Sequence, residues 1–354
     1  MRIVTKSKEL FIIATLILFI AGLFLNYDEI KISFTADLKR CIDNILPPLF
    51  PMLILSSFLS ESELIASLFK KNKDPKTALA RFSLSLFPEI IFGVVGGYPV
   101  GVKTLSGSVA KNPALKHNAR LLALCSINPG PAFTVLVVGK SVFGTINAGA
   151  SLYISVTAAN MLLFIFLFLL FGEKTDLKSK TPSTDTSADT ALVNAVKNAT
   201  ENACSITAWI ILFGILYTIL SQINVPFFSS FLNLTGEITH AVDHCFQRHS
   251  LSLCAFALSF AGVCIYCQIL PDLHRLDIKL FPYFLCRAIC GLFSLLIEML
   301  ILRLFPSIAA VNVSYSTGRY LFNADLTRCI SLAVLSVFFM LGVNEKKLKI
   351  ILKK

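Results

Sequence analysis

Charged side chains are scarce in this 354-residue chain. They make up 15% of it, against about 25% in a soluble globular protein. The apolar residues, 55% of the total and thirty of them Phe, gather into long blocks, and mean hydropathy is +0.74. Such blocks exclude a soluble enzyme, a disordered chain and a small disulfide-stapled domain. Catalytic signatures are missing too. No G-x-S-x-G, P-loop or G-x-G-x-x-G occurs, so neither nucleotide hydrolysis nor soluble-type serine catalysis has support, and no enzyme activity or cofactor is expected. His240 and His244 stand four apart with Asp243 and Cys245 close by, a spacing compatible with zinc. No H-E-x-x-H accompanies them, and a metal site is not expected.

Ten cysteines are present, but most of them, such as Cys125, Cys254, Cys264 and Cys286, lie within apolar stretches, where Cys acts as a small hydrophobe. Cys264-Ile-Tyr-Cys267 is formally a C-x-x-C without a second pair, and helix packing accounts for it. The net charge of +11 is spread over short segments: Lys70, Lys71, Lys73 and Lys76; Lys111, Lys116 and Arg120; Lys346, Lys347, Lys349, Lys353 and Lys354. That is the loop bias of an inserted membrane protein and not a nucleic-acid patch. A basic start (Arg2, Lys6, Lys8) and an apolar run from Leu10 to Leu25 lead into Asn26-Tyr27-Asp28-Glu29, with no small-x-small cleavage site, so a retained first helix is expected.

A membrane span needs about 20 apolar residues. Hydropathy predicts spans at 10–26, 42–60, 121–139, 144–172, 203–223, 251–270, 282–305 and 328–343. Two further apolar stretches are broken: 82–110, interrupted by Gly93, Gly96, Gly97, Pro99 and Gly101, and 225–247. If 82–110 crossed once, the basic loops 61–81 and 111–120 would lie on opposite faces, against the positive-inside bias. If it dips in and returns, 1–9, 61–81, 111–120, 173–202, 271–280 and 346–354 all lie inside, and 27–41 is a loop of mixed charge.

The re-entrant reading yields two halves with the same order of parts and opposite orientation, 1–172 and 203–354, joined by a polar cytoplasmic linker at 173–202. The predicted fold is an all-α polytopic membrane protein: about eight spans plus two re-entrant segments in an inverted repeat, as many secondary transporters are built.

Irregular backbone at membrane depth must line a cavity or be buried in protein. The first break, Gly96-Gly97-Tyr98-Pro99-Val100-Gly101-Val102-Lys103, reads as a hairpin tip, with Lys103 placed to meet an anionic ligand or to pair with Glu89. Asn128-Pro129-Gly130-Pro131-Ala132-Phe133 unwinds span 121–139 and frees carbonyls and the Asn128 amide. Leu234-Thr235-Gly236-Glu237-Ile238-Thr239 puts a carboxylate into the second broken segment, and small residues Ser259 to Gly262 precede Gln268 in span 251–270. Arg287 and Glu298 lie eleven apart in span 282–305, too far to pair along the helix, and each is placed to face a polar interior.

In that order, the pieces from Gly97 to Lys103, Asn128 to Phe133, Glu237 to Thr239 and Ser259 to Gln268 resemble the sporulation integral membrane protein YlbJ family over roughly residues 40–345. That family is similar to the nucleoside-recognition (Gate) membrane proteins. The chain departs from its pattern with Ala261 in place of a usual Gly and Val102 in place of Ala. The resemblance implies a multi-pass protein of the bacterial cytoplasmic membrane and, in a spore-forming host, a link to sporulation.

The expected function is movement of a small polar or anionic solute by alternating access. Its expected site combines Gly97, Tyr98, Pro99, Gly101 and Lys103 with Asn128, Gly130 and Pro131, and with Glu237, Thr239 and Gln268. Tip backbone and Lys103 would hold the solute, Asn128 and Gln268 would hydrogen-bond it, and Glu237 would bind a coupling proton or cation. Both termini are expected on the cytoplasmic side. The lipid bilayer, a second copy of the chain and sporulation membrane proteins are the expected partners, and nucleic acid is not. The alternative is a non-transporting scaffold for assembly of the spore envelope.

Overall fold

The computed structural model describes residues 2–61, 89–125, 127–172, 188–221 and 226–308. Among these residues every regular element is helical. Five helices are long and apolar enough to cross a membrane: Tyr27–Phe58, Ile146–Phe171, Thr190–Ser221, Leu251–Arg275 and Leu280–Leu304. The chain therefore has the make-up of an all-α, multi-pass membrane protein. The span predicted at 328–343, the start of the re-entrant stretch (82–88) and linker residues 173–187 lie outside the described residues.

Helix α1 (Arg2–Leu25) is followed by α2 (Tyr27–Arg40), a π-helical turn (Cys41–Ile45) and α3 (Leu46–Glu61), which run on without a break. Residues 27–41, expected as a loop, are thus helical. Their charges suit that state: Asp28 and Glu29 fall in the first turn of α2 and Lys39 and Arg40 in its last, each facing the favourable end of the helix dipole. The π turn stands just ahead of Pro47, Pro48 and Pro51, which remove successive N–H donors.

Residues 89–96 form α4, and after Gly97 comes α5 (Tyr98–Lys111). Ser108 Oγ donates to Glu89 Oε1 at 2.5 Å, although the two residues are 19 apart. A straight helix would separate them by about 28 Å, so the chain reverses at Gly97. The first described crossing after it is broken: α6 (Lys116–Cys125), then irregular backbone through Pro129 and Gly130, then the π-helical α7 (Ala132–Val142). Helix α8 (Ile146–Phe171), N-capped by Thr145, runs back alongside both pieces.

Helix α9 (Ala188–Ser221) packs along α2 and α3, so residues 188–202 of the expected polar linker are its first turns. Helices α10 (Pro226–Thr235) and α11 (Ile238–Gln247) are parted at Gly236-Glu237. Helices α12 (Leu251–Phe260) and α13 (Gly262–Arg275) are parted at Ala261, and α14 (Leu280–Leu304) closes the series.

Side-chain contacts mark the two ends of the bundle. At one, Lys116 and Arg120 of α6 pair with Asp277 in the α13–α14 turn, and His117 Nε2 donates to Phe171 O at the end of α8. At the other, Phe143 meets Phe246 edge to face at 5.5 Å. Two apolar cores fill the space between them. One gathers α5, α6, α13 and the first half of α14; the other gathers the α2–α3 helix, α7, α9, α11 and α12. Helix α8 belongs to both, with Val156 in one core, Leu163 in the other and buried Asn160 between. Asn128, in the irregular stretch between α6 and α7, meets Asn160 there.

Candidate functional site

Each broken pair meets a broken span through glycine. Gly97 has φ +85°, open to glycine but strained for other residues, and a Cβ on it would lie 3.0 Å from Gly130 N. In the other half Gly262 has φ +66°, and its Cβ would lie 3.0 Å from Gly236 O. The same carbonyl accepts from Cys264 N at 2.9 Å. The start of α5 is also tied to α12, because Tyr98 Oη donates to Leu258 O at 2.6 Å.

Unwinding leaves carbonyls without helical partners. Those at the ends of α6 and α12 are taken up by Arg287 of α14, which is 0% exposed. Its Nη1 donates to Cys125 O at 3.4 Å and to Asn160 Oδ1 at 3.2 Å. Its Nη2 donates to Ile127 O at 2.9 Å and to Ser259 O. A guanidinium between two helix C-termini sits where both dipoles favour positive charge. Asn160 completes the layer by donating from Nδ2 to Asn128 Oδ1. Glu298, equally buried, faces α8 and accepts from Ser151 at 2.8 Å and from Ser155. Arg287 and Glu298 do face a polar interior, each through its own partners on other helices.

A cleft opens beside this layer. It encloses about 520 Å³ of space between atoms, counting the part open to the outside. Gly96, Gly97, Tyr98 and Pro99 from the first break, Gly130 and Phe133 from the second, Glu237, Ile238 and Thr239 from the third, and Ile265 and Gln268 of α13 form one side. Ile45, Leu49, Leu53, Ile206 and Ile210 complete the lining with aliphatic side chains. Of the residues expected at the site, Gly97, Tyr98, Pro99, Gly130, Glu237, Thr239 and Gln268 line this cleft.

The remaining four do not. Lys103 is exposed and donates to Asn202 Oδ1 of α9 at 3.3 Å, while Glu89, its expected partner, is bonded to Ser108. The helix resumes at once after Gly97, with Pro99 in its first turn, and by residue 103 the side chain has rotated away. Asn128 faces α8 and not the cleft. Gly101 lies within α5, and Pro131 leads into α7 without lining the cavity.

Glu237 is 3% exposed and caps α11. Its Oε2 accepts from Thr239 N at 2.8 Å, His240 N at 3.0 Å and Thr239 Oγ1 at 2.5 Å. Its Oε1 is buried with no hydrogen-bond partner among the described residues. Behind it, Arg40 Nη1 donates to Thr239 Oγ1 at 3.2 Å and Arg40 Nη2 pairs with Asp243 at 2.9 Å. Asp37 stands 3.9 Å from His240 Nε2, and the His240 ring stacks on Tyr217 at 5.0 Å. A second cavity, lined by Arg40, Asn44, Ser141, Thr239 and Asp243 among others, adjoins the first and shares Ile45, Phe133 and Thr239 with it.

Asn160, Asp37, Arg40 and Tyr217 are additions to the site expected from the sequence. A signal for Asn160 existed, since Ser151, Ser155 and Asn160 are polar residues inside the most apolar span, where such groups are costly. Asp37 and Arg40 have the look of loop charges in the sequence. No protein-family model, no curated protein and no solved structure matches this chain.

Proposed function

We propose that the protein is a membrane transporter of the nucleoside-recognition (Gate) type, moving a small polar solute by alternating access through the cleft between the two broken pairs. The observation that carries this reading is the doubled meeting of glycines, Gly97 with Gly130 at the cleft and Gly236 with Gly262 next to Glu237, which lines the same cleft and has a buried, unpartnered carboxylate oxygen. Breaks that converge at membrane depth make sense where they line a cavity.

In this reading the chain is an inverted repeat. The series α3, α4–α5, α6–α7, α8 in one half corresponds to α9, α10–α11, α12–α13, α14 in the other, and the hairpins enter from opposite faces. With 10–26 and 328–343 the spans number about eight, beside two re-entrant segments. The positive-inside bias of the basic loops supports cytoplasmic termini. Glu237 supplies the negative charge of the site, for a proton or a cation. The resemblance to the YlbJ family extends the proposal to the bacterial cytoplasmic membrane and to spore formation, with a second copy or sporulation membrane proteins as partners. With Lys103 turned to α9, an anionic solute loses its expected counter-charge.

Uptake of labelled small metabolites into liposomes tests the reading. Glu237→Gln should cut flux on the order of tenfold or more, and Lys103→Ala should leave it near the wild-type level. No flux from wild-type protein, or full flux in Glu237→Gln, overturns the assignment. Accessibility of Lys76→Cys and Lys116→Cys in a cysteine-depleted background tests the topology. Labelling from opposite sides of the membrane rules out the inverted repeat.

A further inference from the structure

We infer that the solute taken by this cleft is a small organic cation, a protonated amine with a compact apolar body, recognised by Glu237 Oε1. The inference rests on the reading of the cleft as a solute site and adds the charge class. Glu237 is the one formally charged residue among the described residues that line the cavity. Its Oε2 is saturated by three donors from α11, and its Oε1 is buried without one. A buried acceptor left unpaired is costly, so an occupant that brings a donor gains more there than one that brings a second acceptor.

The surrounding charges point the same way. Asp37 and Arg40 face this region from α2, and His240 and Asp243 from α11. Against the three carboxylates Asp37, Glu237 and Asp243 stand Arg40 and, when protonated, His240. With all three carboxylates ionised, at least one negative charge stays unbalanced. Arg40 is already engaged by Asp243 and Thr239, so it has no bidentate face to offer an incoming anion. Lys103 is held by α9. The aliphatic side chains of the lining set the other half of the specificity, because a branched hydrocarbon body gains from burial where a sugar or polyol does not.

Three probes of one shape separate the classes: isobutylamine, isobutanol and isobutyrate at neutral pH, with binding read from the rise in thermal midpoint of the full chain in detergent. Isobutylamine should stabilise the wild type, isobutanol less, and isobutyrate not at all. Glu237→Gln should weaken the amine about tenfold or more while leaving isobutanol little changed. If that variant does not fold, the ranking of amine over carboxylate on the wild type decides. Binding of isobutyrate in preference to isobutylamine overturns the charge assignment but leaves a solute site. Failure of all three to bind overturns both.

Discussion

Gly97 and Gly130 meet main chain to main chain, with so little room that a methyl group on the first would stand 3.0 Å from the nitrogen of the second and 3.3 Å from its Cα. Neither neighbour is a side chain that could swing aside. Gly97→Ala should therefore both push the tip off the broken span and strain a backbone at φ +85°, lowering stability by about 1–3 kcal/mol. Gly107→Ala on the same hairpin is the control. Nothing lies within 4 Å of its added Cβ, and it should be neutral or stabilising by up to about 1 kcal/mol. Thermal midpoints of the two variants in detergent check the contrast.

Ala261 holds φ +69° at the break between α12 and α13, a left-handed conformation that costs an L residue roughly 1 kcal/mol. Ala261→Gly removes that strain and should raise stability, by up to about 1 kcal/mol after the extra freedom of glycine in the unfolded chain is counted. A lower midpoint in that variant would show that the Ala261 methyl packs for more than its backbone costs.

Removal of the guanidinium should do more damage than either glycine-site change. Arg287→Met leaves the carbonyls of Cys125, Ile127 and Ser259 without their buried donor, and a loss of about 3 kcal/mol or more is expected. Arg287→Lys should fail to restore it, since an ammonium cannot span carbonyls on two separate helices as a planar fork does. Millimolar guanidinium should recover part of the midpoint of Arg287→Met and leave the wild type unmoved.

The clip at the end of the bundle is sensitive to acid. Hydrogen bonding and charge from Lys116, with Arg120, hold the Asp277 carboxyl below the usual carboxylate range. A depressed folded value means that the stabilising contribution is present above the unfolded value near 4 and is lost as pH falls through the folded one. Asp277→Asn keeps a residue that tolerates φ +52° but removes the charge. It should cost about 0.2–1 kcal/mol at pH 7 and nothing once acid has already protonated the wild type. Midpoints of both proteins across that pH range test it.

The sequence announces its breaks where glycine and proline make them. Gly96-Gly97, Pro129-Gly130-Pro131 and Gly236 all fall at or beside interruptions in the helices. At Ala261 it offers only a run of small residues, because a left-handed alanine is held by its surroundings and does not itself announce a break. Charge is misleading at 27–41, where residues that look like a loop complement the dipole of a helix. Rotation decides Lys103: counting from Gly97 as a tip gives its depth, but only the restart of the helix at Tyr98 gives its direction. The links from Arg287 to Cys125, Ile127 and Asn160 join residues 162, 160 and 127 positions apart, and a single sequence holds no trace of such pairings.

Between the C-terminal ends of α6 and α12 the chain brings its own counter-ion, tethered through the side chain to α14. A positive charge anchored that way is a bolt and not a passenger. It is present once per molecule in any salt, and it fastens the ends of both helices to one strut. In the proposed transport cycle, whatever swings pivots around that joint, and a coupling ion is taken up somewhere other than there.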